Sequence, residues 1–85
     1  METIEKAAIR HKGVIFAVAR PGRHTAIVSE MSHHGISAGE MLDQGFLTNF
    51  GRFVDREEAL KIALIAGQLE KPRFQPNILF TEDLW

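Results

Sequence analysis

At 85 residues the chain is sized for one small domain with a modest core. Its 45% apolar content is that of a globular protein and argues against disorder. Ten basic and eleven acidic residues leave a net charge of −1, which excludes the overall positive field of a bulk nucleic-acid binder.

Cysteine is absent, so disulfide scaffolding and thiolate metal sites are excluded, and for so small a domain this favours a reducing compartment. The opening METIEKAAIRHKG has no long apolar core of the signal-peptide kind. No apolar run approaches the roughly 20 residues of a membrane span. The expectation is a soluble, cytoplasmic protein.

In chain order, AAIRHKGVIFAVAR predicts two short strands around a turn at Lys12-Gly13. Val14, Phe16 and Val18 share one face by the period of two and are expected in the core. Pro21-Gly22 ends the strand. A first helix follows over Arg23–His34, with Ile27, Val28 and Met31 as its apolar stripe, Gly35 as its terminator and Ile36 packing back. The stretch from Ile36 to Gln44 carries no readable pattern. A hairpin is expected next, with strands at Phe46–Thr48 and Arg52–Val54 and a turn at Asn49-Phe50-Gly51.

The second helix is the best defined element. Asp55 is a good N-cap with Glu58 three residues on, Glu57 and Glu58 suit the positive helix start, and Gly67 closes the run. Ala59, Ile62, Ala63 and Ala66 form one apolar face, widened by Leu60, Leu64 and Ile65. An arc that wide is usually sandwiched between layers or between chains. The tail carries two prolines, and Asn77–Phe80 reads as a final strand. The predicted fold is a single α+β domain, residues 1–85, with a small antiparallel sheet and two helices.

Chemistry-bearing residues are few. The adjacent His33 and His34 point about 100° apart on a helix, and no carboxylate completes a ligand set with them, His11 or His24, so no metal is expected. No serine sits in a nucleophile elbow, so no catalytic residue and no enzymatic activity are expected. Two basic clusters stand out. In PGRHT, Arg20, Arg23 and His24 gather where a strand meets a helix start, a place where free N–H groups bind phosphate; a turn with solvated charges explains the same letters. In GRFVDR, Arg52 and Arg56 flank Phe53. Arg56 lies in the first turn of a helix, where a positive charge costs about 0.3–1 kcal/mol unless it meets an anion. Guanidinium groups grip phosphate at two points, and Phe46, Phe50 and Phe53 are near enough to stack a base. The competing reading is hairpin core plus a surface ion pair with Glu57 or Glu58.

The series GFLTNFGRFVDREEALKIALIAGQ followed by LFTEDLW, with the opening AAIRHKGVIFAVARPGRH, resembles the phage anti-Thoeris sponges (Thoeris anti-defence protein 1) over nearly the whole chain. The resemblance implies a non-enzymatic protein without a cofactor. It would assemble as a dimer or larger homo-oligomer, bind a glycocyclic ADP-ribose signal and release it intact. Some members also bind cyclic trinucleotides at a separate site. It assigns Arg52 and Arg56 to phosphate contacts.

The ligand-binding residues expected from both lines are Arg20, Arg23, His24, Phe46, Asn49, Phe50, Arg52, Phe53 and Arg56. The partner is a small cyclic nucleotide signal, a cyclic ADP-ribose isomer or a cyclic trinucleotide, in the cytoplasm of an infected bacterium, with neither long nucleic acid nor membrane involved. The alternative from another class is a phage inhibitor that binds a host defence protein directly, which would need an exposed apolar patch.

Overall fold

Lys12 and Gly13 carry φ values of +50° and +77°. Two successive positive φ angles make the two-residue turn whose twist matches that of paired strands. It joins β1 (Ile4–His11) to β2 (Val14–Val18), with His11 opposite Val14. The computed structural model describes all residues 1–85. The chain continues through α1 (His24–His33), a short 3₁₀ turn at Ala38–Glu40, β3 (Asp43–Thr48), β4 (Phe53–Asp55), α2 (Arg56–Ile65) and the one-turn α3 (Thr81–Leu84).

The four strands form one antiparallel sheet in the order β2-β1-β3-β4, so the fold is α+β as expected. Register places Val18, Ala7, Phe46 and Val54 in one row across all four strands, and Phe16, Ile9 and Gln44 in the next row on the same face. Both long helices lie on that face. Ile27 and Met31 of α1 pack with Ala7 and Ile9, while Ala59, Leu60 and Ala63 of α2 pack with Phe46, Val54, Ile4 and Leu79. Trp85 touches both clusters and joins them.

The helix ends follow the sequence. The Asp55 side chain accepts the Glu58 N–H at 2.8 Å and caps α2. At the end of α1, Gly35 has φ +79° and Ile36 N–H returns to the Met31 carbonyl at 3.1 Å. The wide apolar arc of α2 is covered largely within the chain. Sheet and tail bury its inner side, and Leu64 and Ile65 remain exposed.

Two expectations are corrected. Val14 is exposed, and Phe16 and Val18 are only partly buried, because β2 is an edge strand; the buried residues of this hairpin are Ile4, Ala7, Ala8 and Ile9, all on β1. No strand forms at Asn77–Phe80. Leu79 is instead buried against α2, and its N–H donates to the Arg56 carbonyl at 3.0 Å. The short α3 follows, with the Asp83 carboxylate accepting the Phe80 and Arg73 N–H groups.

Candidate functional site

The starts of α1 and α2 come together over the C-terminal part of the molecule. Between them lies a cleft of about 380 Å³, walled by Arg23, His24 and Thr25 from α1 and its cap, Gln44 from β3, Arg56 from α2, and Phe80, Thr81 and Glu82 from the tail. The start of α1 carries no acidic residue in its first turn and no side-chain cap, so its positive end is not neutralised locally.

Arg56 is the central side chain. Its Nη1 donates to the Leu79 carbonyl at 2.8 Å and its Nη2 to Gln44 Oε1 at 3.0 Å. The guanidinium carbon lies 5.2 Å from the Phe80 ring centre and 5.9 Å from that of Phe46. Burial lowers its pKa, opposed by the nearby Glu82 carboxylate. It makes no ion pair and uses two of the five N–H donors a guanidinium offers. Arg23 reaches the Trp85 carbonyl at 2.8 Å and lies 3.9 Å from Glu82. The Glu82 carboxyl is held below its ordinary range, chiefly by the Thr81 hydroxyl at 2.8 Å.

His24 forms the floor. It is buried, packs edge-on against Phe46 at 5.1 Å and donates from Nε2 to the Gly45 carbonyl at 2.7 Å. Burial pushes its pKa down; the bond to Gly45 opposes this, and the Arg56 charge adds to it. It is therefore a neutral, fixed ring.

Of the residues singled out in the sequence, the structure brings Arg23, His24 and Arg56 together in the cleft. Phe46 lies beneath it as fully buried core. The others are elsewhere. Arg20 donates to the carbonyls of Ile4 and Glu5 and lies over the Trp85 ring. Asn49 fastens the N-terminal segment, accepting the Thr3 N–H and donating to the Met1 carbonyl. Phe50 is exposed at the hairpin tip, and Phe53 lies under the Arg10 guanidinium at 4.5 Å.

Arg52 does not converge with Arg56. It holds Glu2 through two hydrogen bonds of 2.8 and 3.0 Å and Glu58 at 2.8 Å, and these carboxylates raise its pKa. The surface ion pair that competed with phosphate binding in the sequence is present, with Glu2 as an added partner 50 residues away. The cleft also uses Gln44, Phe80, Thr81 and Glu82, which sequence reasoning missed. The signal for the last three was the FTE of the tail, which has no periodicity to mark it as the wall of a site, and Gln44 lay in a stretch with no readable pattern.

Such a site defines a class: a small α+β domain that presents two arginines and an uncapped helix start to one cleft. The profile of the phage T4 y16D protein family matches residues 3–85, and the chain belongs to that family. No curated protein and no solved structure matches it. No helix is long and apolar enough to cross a membrane.

Proposed function

We propose that this phage protein sequesters a small cyclic nucleotide-type signal, a glycocyclic ADP-ribose or a related cyclic oligonucleotide, without cleaving it. The observation that carries this reading is Arg56, a half-buried guanidinium with spare donors and no ion pair, facing the same cleft as Arg23 and the start of α1. Phosphate satisfies all three at once, since it accepts two-point hydrogen bonds from guanidinium and is favoured at a helix N-terminus. Phe80 offers a ring for a base. A cleft of about 380 Å³ is within the usual range for small-molecule sites.

Glu82 sets a condition on the ligand: phosphate must bind on the Arg56 side, leaving Glu82 to hydroxyl groups such as those of ribose. The chemistry required is binding alone, with the histidine of the cleft engaged by Gly45 rather than free as a base. The proposed place of action is the cytoplasm of the infected cell, where such signals are made.

The test is calorimetric titration with cyclic ADP-ribose isomers and cyclic trinucleotides, followed by heat release and mass spectrometry. Saturable binding with the ligand recovered intact is expected. Absence of binding to all of them at tens of micromolar would refute the reading and favour direct inhibition of a host protein. Recovery of a hydrolysed product would make the protein an enzyme.

A further inference from the structure

The free edge of the sheet carries an inference independent of the proposed ligand. In the β1–β2 hairpin the pair flanking the two-residue turn, His11 and Val14, exchanges hydrogen bonds, and bonded pairs then alternate along the ladder. Phe16 and Val18 therefore also spend their backbone groups on β1. The N–H and C=O groups of Ile15 and Ala17 point outward from the sheet.

Nothing in the chain meets them. β2 is the edge of the sheet, and no turn, loop or side-chain hydrogen bond reaches residues 14–18. Edge strands are normally guarded by a proline, a charge or a bulge. The segment VIFAV has none of these, and Val14 and Ile15 are exposed at 55% and 41%. The opposite edge is different: β4 is three residues long and runs directly into α2.

We propose that β2 pairs antiparallel with β2 of a second copy of this chain about a two-fold axis through Phe16, making one continuous eight-stranded sheet. The hydrogen-bonding pattern selects this register. Ile15 and Ala17 each offer one donor and one acceptor, and a two-fold at Phe16 sets Ile15 opposite Ala17 of the partner subunit, so every outward group is satisfied. An isologous contact requires this self-complementarity.

The side chains agree with the register. Phe16 meets its own copy as a non-bonded pair, the closer kind, on the helix-bearing face. Beside it a groove of about 610 Å³ runs between β2 and α1, lined by Phe16, Val18, Ala26 and Ile27 together with the polar Glu30 and His34, and its apolar part receives the partner's aromatic and valine side chains. The same register would bring Lys12 toward Arg20 of the partner subunit. Arg20, however, is turned back onto the Ile4 and Glu5 carbonyls.

Single cysteines test the axis, since the chain has none of its own. Phe16→Cys places two sulfurs across a non-bonded pair whose Cα atoms are about 4.5 Å apart, within disulfide reach. It should form a covalent dimer under mild oxidation, whereas Val14→Cys, far from its own copy in this register, should not. Light scattering of the parent at tens of micromolar should give a dimer. Ala17→Pro, which removes an outward N–H, and Ile15→Glu, which places a charge beside the seam on the sheet face shared with Arg10, should each weaken it at least tenfold while far-ultraviolet circular dichroism stays unchanged. A monomeric parent, a dimer that survives both edge variants, or cross-linking of Val14→Cys as readily as Phe16→Cys would overturn the proposal. If Phe16→Cys does not fold, the two edge variants decide alone.

Discussion

Arg56 and Leu79 exchange hydrogen bonds: the Arg56 guanidinium donates to the Leu79 carbonyl at 2.8 Å, and the Leu79 N–H donates to the Arg56 carbonyl at 3.0 Å. The first residue of α2 thus fixes the tail as well as facing the cleft, so Arg56 has both a structural and a binding role.

Replacing Arg56 by Ala should therefore lower stability as well as ligand affinity. The backbone bond survives, while the two side-chain bonds and the stacking on Phe80 are lost. Hydrogen bonds to charged groups are worth about 1.5–3 kcal/mol each, and partial exposure puts the expected total at about 2–3 kcal/mol. Arg56→Lys, unable to reach both acceptors in the fork geometry of arginine, should fall between. Urea denaturation midpoints and calorimetry on the same samples separate the two effects.

Arg52→Ala should behave differently. Arg52 and Glu58 are exposed and Glu2 is partly covered, and ion pairs at such a surface contribute little and are screened by salt. A small loss of thermal stability at low ionic strength, vanishing in high salt, is expected, with ligand affinity within twofold of the parent. A large loss of affinity would show that ligand displaces both carboxylates.

Much of this fold is legible in the sequence, and the illegible parts have common physical causes. Asp55 with Glu58, and Gly35 with Ile36, announce helix ends because capping is local. The Lys12-Gly13 turn is equally local. The misplaced core of β2 has another origin: a period of two tells which residues share a face but not which strand lies at the edge. The partners of Arg52 and Arg56, Glu2 and Leu79, lie 50 and 23 residues away, and spacing along one hairpin cannot reveal them. The tail has no helix or strand between Gly67 and Phe80, so nothing periodic marks Phe80 and Glu82 as a wall.

Gly45→Ala should disrupt the β3–β4 pairing. A Cβ at this position would collide with the Val54 carbonyl oxygen and come within 2.9 Å of the Phe53 ring. The ring can swing away, but the strand backbone cannot. A loss of about 1–3 kcal/mol is expected, as for overpacked cores, with the His24 anchor displaced as well. The His24 ring resonances, followed by NMR, report on that displacement.

Trp85→Ala should be among the costliest single changes. The indole Nε1 donates to the Gly22 carbonyl at 2.8 Å, its ring meets Phe46 edge-on at 6.4 Å, and it links the two core clusters. Truncation of large aromatics costs about 3–5 kcal/mol, and partial exposure places this one near ~3 kcal/mol, measurable by chemical denaturation.

Stability should fall on acidification, beginning near the ordinary histidine pKa. The folded-state pKa of His24 is depressed from 6.5, chiefly by burial. Between the two values the unfolded chain binds more protons than the folded one. Its contribution is therefore complete above about pH 6.5 and is lost as pH falls through the lower folded value. Glu2, Glu40 and Glu82, depressed from 4.5, act only at lower pH. Melting temperatures from pH 7.5 to 5 should decline in the parent and flatten in His24→Gln, whose amide can still donate to Gly45.

The wall of the cleft formed by Phe80, Thr81 and Glu82 belongs to a segment that pairs with no strand. It is held by the Arg56–Leu79 exchange, by Asp83 and by Trp85. If that segment peels away, the cleft ceases to exist. Occupancy and tail docking are then a single equilibrium, and a ligand that needs this wall closes the tail by RT ln(1 + [L]/Kd). Tryptic cleavage after the exposed Arg73, which requires the segment to open, becomes a clock for the site: each tenfold rise in ligand above Kd should slow the cut about tenfold.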